Sequence, residues 1–289
     1  MSDFSGVWVP VVTPFHNGAI DFAALQRVCA HLISSGVDGL MVCCTTGEAA
    51  SMTDAEQLAV LDAVLETVDG HRVVMGLSGS NFQALLDLQK RIIVRPVAGL
   101  LVPAPAYIRP SQEGLKMFFS TLANASSVPV ILYDIPYRTG VVIEQKTLLE
   151  ITSHPNIVAV KDCGGSLQKT TALLSSRQVN VLCGEDQNIF NALCLGASGM
   201  IAASAHIHPE HFINLYEQVK TGNLSAAREQ FFQLLPLITQ LFSEPNPAPL
   251  KAALSAGGLI RNELRAPLQP ASDEIKRSLF ALIERLGAR

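Results

Sequence analysis

Asn156-Ile157-Val158-Ala159-Val160-Lys161-Asp162 decides how the chain folds. A short apolar run of this kind reads as a buried strand. Its end is unusual, because taking an ammonium out of water is expensive. Burial favours a neutral amine, and a neutral amine is a nucleophile. A lone lysine at a strand end would be read as one that snorkels into water. Two further stretches with reactive polar groups change that reading: Thr45-Thr46-Gly47-Glu48, and Tyr133-Asp134-Ile135-Pro136-Tyr137-Arg138-Thr139-Gly140.

Outward from Lys161, short apolar runs alternate with longer amphipathic segments. The runs are Val7–Thr13, Gly39–Val42, Arg72–Gly76, Gly99–Val102, Val128–Tyr133, Ile157–Lys161, Asn180–Gly184 and Gly199–Ala202. Helical stretches lie between them: Asp21–Ser35, Thr53–Val68, Ser111–Ser126, Glu144–Ile151, Ser166–Ser176 and Asn188–Leu195. Eight strands, each followed by a helix, predict an α/β fold of the (β/α)8 TIM-barrel type, for which about 250 residues is typical. The strands are apolar throughout, as parallel strands covered on both faces should be. Thr53-Asp-Ala-Glu56 and Ser111-Gln-Glu-Gly114 supply N-caps with acid in the first turn. The third unit is the weakest, with a brief strand and helix stopped by Arg95-Pro96-Val97-Ala98-Gly99. After Ala202 the pattern turns helical: His211–Thr221, Ser225–Phe242, Pro247–Ala256 and Ser272–Leu286. The first of these closes the barrel. The expected division is a catalytic barrel over residues 1–224 and a small C-terminal helical domain over 225–289, with the proline-dense Glu244-Pro-Asn-Pro-Ala-Pro249 leading into one of its helices.

The composition narrows the function. The 289 residues are 48% hydrophobic, enough for one large core and a smaller appendage. A net charge of −4, a pI near 6.0 and the lack of any basic block disfavour nucleic acid and anionic membrane as partners. The start, Met1-Ser-Asp-Phe4, has no signal-peptide pattern, and no run of about 18 apolar residues predicts a membrane span. There is no C-x-x-C pair among the six cysteines, and several lie in apolar strand-like runs as buried free thiols, which fits a reducing cytoplasm.

Active sites of such barrels sit where the strands end. Alternation places Pro129, Ile131 and Tyr133 on one face of the fifth strand, and Ile157, Ala159 and Lys161 on one face of the sixth. If both faces point inward, Tyr133 and Lys161 are neighbours, and small Ala159 leaves room for the lysine stem. An amine beside a phenol suits Schiff-base chemistry on a ketone, with the phenol passing protons. Thr45 and Thr46 add hydroxyls and amides, Gly47 lets the chain turn closely around a ligand, and Arg138 can hold a carboxylate in a bidentate fork.

These residues resemble the pyruvate-dependent class I aldolases of the dihydrodipicolinate synthase and N-acetylneuraminate lyase type. The resemblance spans nearly the whole chain: Gly6-Val-Trp-Val-Pro-Val-Val-Thr-Pro14, Thr45-Thr-Gly-Glu48, Tyr107-Ile-Arg-Pro-Ser-Gln-Glu-Gly114, Ile131–Gly140, Val160-Lys-Asp162, Gly184-Glu-Asp186, Gly199-Met-Ile201 and Glu244-Pro-Asn-Pro247. It implies that Lys161 forms a Schiff base with pyruvate, that Tyr133 donates and accepts protons, and that Thr45 is the relay hydroxyl. It implies that Thr46 binds the pyruvate carboxylate and that Ile201 lines the pyruvate pocket with its backbone. Tyr107 matches a tyrosine that completes the relay in a neighbouring subunit, so the resemblance implies a homotetramer built from two tight dimers. No cofactor and no catalytic metal are implied. Arg138 and the intact Thr-Thr-Gly-Glu favour aspartate semialdehyde as the acceptor and 4-hydroxy-tetrahydrodipicolinate as the product, on the route to diaminopimelate and lysine. The alternatives are an aldolase for a sugar acid or another 2-oxo acid, and a non-catalytic barrel that binds a metabolite. Cys44, Ala106 and Ile108 depart from the usual pattern on the acceptor side. Lysine-inhibited members carry histidine and glutamate where this chain has Asp54 and Leu85; only Asn81 keeps its expected identity, which predicts weak or absent feedback by lysine.

The remaining polar features are read as structural. His206, His208 and His211 straddle a helix start and are assigned to structure or surface rather than to a metal. Cys43 and Cys44 point to opposite faces of a strand and pack. Asp162 and Glu185-Asp186 either tune charge near the site or begin helices, and the second reading carries more weight. Lys251, in a helical first turn, is expected at the surface or at an interface.

Overall fold

The computed structural model describes residues 4–287. The first three residues of the chain start, and residues 288–289 at the end of the expected C-terminal domain, lie outside the described residues. Eight parallel strands form a closed barrel: β1 Gly6–Pro10, β2 Gly39–Val42, β3 Val73–Gly76, β4 Gly99–Pro103, β5 Val130–Asp134, β6 Ile157–Asp162, β7 Asn180–Cys183 and β8 Gly199–Ile201. Each pairs with its neighbour in sequence, and β1 closes on β8 through Gly6 opposite Gly199 and Trp8 opposite Ile201. All eight expected strands are present. A short antiparallel hairpin of Phe15–His16 and Ala19–Ile20, which the sequence reading lacks, follows β1.

Although the strands are apolar on both faces, their side chains divide cleanly. Trp8, Met41, Val74, Leu101, Ile131, Ala159, Leu182 and Ile201 fill the barrel interior. Val7, Leu40, Val42, Val73, Leu100, Leu132 and Val160 point outward into the core beneath the helices. The expected alternation fails at one place. Val130 pairs with Ile157, whereas Ile131 pairs with Ala159, so the register shifts by one at Val158. A bulge of this kind reverses the facing of whatever precedes it. Ile157 therefore packs in the outer core rather than with Ala159 and Lys161.

The third unit is not weak. Its helix runs over Phe82–Ile92, with the Asn81 side chain accepting from the Ala84 N–H at 3.1 Å. Leu85, Leu88 and Ile92 bury one face of it. The two expected caps form: Thr53 and Glu56 make a reciprocal capping box, and Ser111 Oγ accepts from the Gly114 N–H. Beyond β8, helices span Pro209–Lys220, Leu224–Leu241, Ala248–Ala256 and Asp273–Gly287. Pro209–Lys220 packs on β1, as a closing helix should. Among the described residues no helix is long and apolar enough to cross a membrane.

Candidate active site

The carboxyl ends of the strands surround a cavity of about 340 Å³. Lys161 ends β6 directly opposite Tyr133 on β5. Both are nearly buried, at 5% and 6% exposure, and the lysine Nζ stands 4.3 Å from the centroid of the tyrosine ring. The expected inward pairing of these two side chains is therefore what the fold provides. Room for the lysine stem comes from two sides. Ala159 lies beneath it, and Gly184, just past β7, lies against it. A Cβ at position 184 would stand 2.7 Å from Lys161 Cε and 2.5 Å from Cys163 Sγ.

Burial pushes the Tyr133 phenol well above its ordinary range, while a hydrogen bond from Thr45 acts in the opposite direction. The phenol is therefore protonated at neutral pH and poised to donate. Thr45 is half-buried and Thr46 is buried; both line the cavity with Ile201 and Arg138. Arg138 sits exposed on the rim, on the one-turn helix Pro136–Thr139. Beside it, the Tyr137 hydroxyl donates to Glu185 Oε1 at 3.0 Å, bridging the ends of β5 and β7 across the mouth above Lys161.

Tyr107 is the one predicted site residue that the chain does not bring to its own cavity. It is 92% exposed and has φ +72°. Its N–H donates to Thr139 O at 3.3 Å, which anchors the backbone and leaves the ring in solvent.

Two residues not predicted for the site also stand here, Asp186 and Asn246. Asp186 opens the 3₁₀ turn Asp186–Asn188 without capping it. Its carboxylate instead accepts from the Ser204 N–H at 2.7 Å and lines the cavity. Burial pushes it up to about 6, against the pull of the Ser204 hydrogen bonds and the Lys161 charge. Asn246 also lines the cavity, and its Nδ2 donates to Thr46 Oγ1 at 3.0 Å. The run Glu244-Pro-Asn-Pro247 was the sequence signal for it, since rigid proline-dense turns hold side chains in fixed places.

Lys251 is not a surface residue. It is fully buried and forms an ion pair with Glu48. Desolvation lowers its pKa and the Glu48 carboxylate acts the other way. The expectation failed because its helix packs inward against the hairpin after β1, where Nζ lies 4.3 Å from the Phe15 ring centroid.

Five of the six cysteines are buried free thiols and Cys194 is exposed; Cys43 and Cys44 stand just past the end of β2 rather than on it. Cys43 and Cys44 are both buried, with Cys43 in the outer core and Cys44 in the barrel interior. Burial raises the Cys44 thiol to about 11 although the Lys161 charge lowers it. His206 is buried, accepts from the Val12 N–H at its Nε2, and faces Ala203 O with its Nδ1. That pattern assigns a neutral ring protonated at Nδ1, and burial pulls its pKa down to about 4. His208, Glu210 and His211 bring their ligand atoms within 4.8 Å of one another. His208 Nδ1 is already bonded to Glu210, and His211 Nδ1 to Gln230.

A lysine buried at the mouth of a (β/α)8 barrel, against a phenol and beside two threonines, defines a class of enzyme: the Schiff-base lyases of class I aldolase type. The chain belongs to the dihydrodipicolinate synthetase family, whose sequence profile matches residues 3–286. A 4-hydroxy-tetrahydrodipicolinate synthase 2 from Clostridium acetobutylicum is 36% identical over 278 residues, 95% of this chain and 97% of that protein. A 4-hydroxy-tetrahydrodipicolinate synthase from Geobacter metallireducens is 36% identical over 97% of this chain and 98% of its own length. In structure, the chain is similar to a dihydrodipicolinate synthase from Thermotoga maritima, with a TM-score of 0.95 and 32% identity over 99% of both chains.

Proposed function

We propose that the protein condenses pyruvate with L-aspartate 4-semialdehyde to give 4-hydroxy-tetrahydrodipicolinate, in diaminopimelate and lysine biosynthesis, and that Lys161 carries the chemistry. The observation that supports this most is the buried contact of Lys161 with Tyr133 at the floor of a cavity whose rim holds Arg138. The Lys161 amine adds to the pyruvate ketone. The carbinolamine loses water as Tyr133 delivers a proton, and loss of a methyl proton from the resulting iminium gives the enamine. The enamine carbon attacks the aldehyde, forming the carbon–carbon bond. The acceptor's own amino group then displaces Lys161 by transimination, closing the ring. Thr45 relays protons to Tyr133, and Thr46, with the backbone at Ile201, holds the pyruvate carboxylate. Arg138 takes the acceptor's carboxylate. No step calls on a metal or an external cofactor.

The proposed catalytic barrel, residues 1–224, holds every residue given a chemical role here, and the proposed C-terminal domain, residues 225–289, adds Asn246 to the cavity wall. Tyr107, exposed on its own protomer, completes the relay of a neighbouring one in a homotetramer working in the cytoplasm. Lysine inhibits the enzyme weakly or not at all at submillimolar concentration: Leu85 is buried in the apolar core and Asn81 is engaged as a helix cap. Strong inhibition in that range would refute this.

The deciding experiment is reduction with borohydride in the presence of pyruvate, followed by mass mapping and then turnover with aspartate semialdehyde and with several sugar acids. The expected result is one adduct, on Lys161, absent from Lys161→Ala, with turnover confined to the semialdehyde. An adduct with turnover on a sugar acid alone would move the assignment to a sugar-acid aldolase. No adduct would leave a metabolite-binding barrel.

A further inference from the structure

The turn Thr45-Thr46-Gly47-Glu48 is held from outside the barrel. Glu48 is nearly buried and adopts a left-handed conformation at φ +55°, which a side chain-bearing residue keeps only when its surroundings over-determine it. Those surroundings come from the C-terminal segment: the helix Ala248–Ala256 and the loops on either side of it. One carboxylate oxygen of Glu48 pairs with the ammonium of Lys251, and the other accepts from the Arg265 N–H at 3.0 Å. Lys251 Nζ also donates to Glu263 O at 2.9 Å. The Arg265 guanidinium donates to Ser51 O, just past the turn, at 3.0 Å. Two residues before Glu48, Asn246 donates to the Thr46 hydroxyl at 3.0 Å. Both flanks of Gly47 are thus tethered to residues beyond position 243.

We propose that Lys251 is a positioning residue: its buried ion pair with Glu48, seconded by the Asn246–Thr46 contact, sets the conformation of the turn that presents the Thr45 and Thr46 hydroxyls and amides to pyruvate. This rests on the roles proposed above for the two threonines, proton relay for Thr45 and pyruvate binding for Thr46. Lys251 lines neither the cavity nor its mouth, so it acts through Glu48 alone. A buried ammonium and carboxylate that lose each other leave an uncompensated charge, so the pair is a fixed two-part strut rather than a loose surface bridge.

The test compares the wild type with the full-length double variant Glu48→Gln/Lys251→Met, which removes both charges without orphaning either. Circular dichroism checks the fold, borohydride trapping at saturating pyruvate counts competent sites, and KM is measured for each substrate. The expected result is a folded protein that still traps pyruvate on Lys161, with KM for pyruvate raised about ten-fold and KM for the aldehyde changed less than two-fold. A purely structural role would lower kcat in proportion to the trapped fraction and leave both KM values alone; that outcome, or a wild-type KM for pyruvate, overturns the proposal. Should the double variant not fold, hydrogen exchange of the wild type decides. Coupling is reciprocal, so trapping pyruvate must slow exchange in the helix Ala248–Ala256. Unchanged exchange there overturns the proposal. Failure of the wild type to trap pyruvate at all would instead remove the threonine assignment on which it stands.

Discussion

The Lys161 side chain depends on what its neighbours lack. Gly184 is the clearest case, because a methyl group there would stand 2.7 Å from Lys161 Cε and 2.8 Å from Cγ. Gly184→Ala must therefore push the amine off its position against Tyr133. A displacement on the order of 1 Å at a reacting group lowers rates by about 10²-fold. The expected outcome is a fall in kcat of that size and slower borohydride trapping, with little change in the melting temperature. Asp186 makes a different demand. Its folded-state pKa, about 6, lies above the ordinary carboxylate value of 3.8, so the folded protein holds this proton more tightly than the unfolded chain does. The stability it contributes is fully present below the unfolded pKa and is lost as pH rises through about 6. Asp186→Asn keeps an oxygen to accept from the Ser204 N–H and never ionises. Relative to the wild type, it should be more stable by roughly 3 kcal/mol at pH 8, with the gap closing towards pH 4. Denaturant melts of both proteins at the two pH values check this, and equal gaps at both would refute it.

At the scale of elements, the strands were legible because parallel strands covered on both faces must be apolar on both, and such runs stand out against amphipathic helices. The bulge at Val158 was not legible, since Ile157 and Val158 are equally apolar and only pairing partners reveal the slip. The helix Phe82–Ile92 was legible but unread. Leu85, Leu88 and Ile92 recur at helical spacing, Phe82 and Leu86 flank them against the core, and Gln83, Asp87, Lys90 and Arg91 stay off that face. Its true start signal is Asn81, which the family comparison had drawn towards lysine binding. Because Asn81 Oδ1 satisfies the Ala84 N–H, Asn81→Ala should destabilise the fold by about 1 kcal/mol. Chemical denaturation measures the loss, and kcat for the condensation should stay unchanged. The reactive side chains at strand ends were legible for a simple reason: a polar group closing an apolar run has a cost that demands a function. Lys251 carried no such signal. It sits in a helical turn like any surface lysine, and the residues that complete its network come from distant stretches, as with Arg265 and Glu48, 217 positions apart.

Across the whole molecule, the site built by one chain is complete except at one corner. Lys161, Tyr133, Thr45, Thr46, Arg138 and Ile201 converge on one cavity, while Tyr107 projects away at 92% exposure on a left-handed backbone. Leaving a large aromatic ring in water on a strained residue gains nothing for an isolated chain. In the proposed assembly of tight dimers that ring would become a shared part, each protomer donating its tyrosine and receiving one in return. The consequence is complementation between two dead chains. Tyr107→Ala keeps Lys161 but lacks the donated phenol; Lys161→Ala keeps the phenol but lacks the amine. Proton transfer by one positioned group is worth about 10²–10⁴-fold, so each variant alone should be nearly inactive. Unfolded together and refolded as a mixture, they should form hybrid dimers in which one site holds both an intact lysine and its partner's tyrosine. If the protomers pair at random, about one site in four is restored, and activity should rise to roughly that share of the wild type. Each variant unfolded and refolded separately, then mixed without a shared unfolding step, is the control that separates restored sites from simple refolding gains. A mixture no more active than its two components would show that Tyr107 serves its own chain or none, and the shared relay would have to be abandoned.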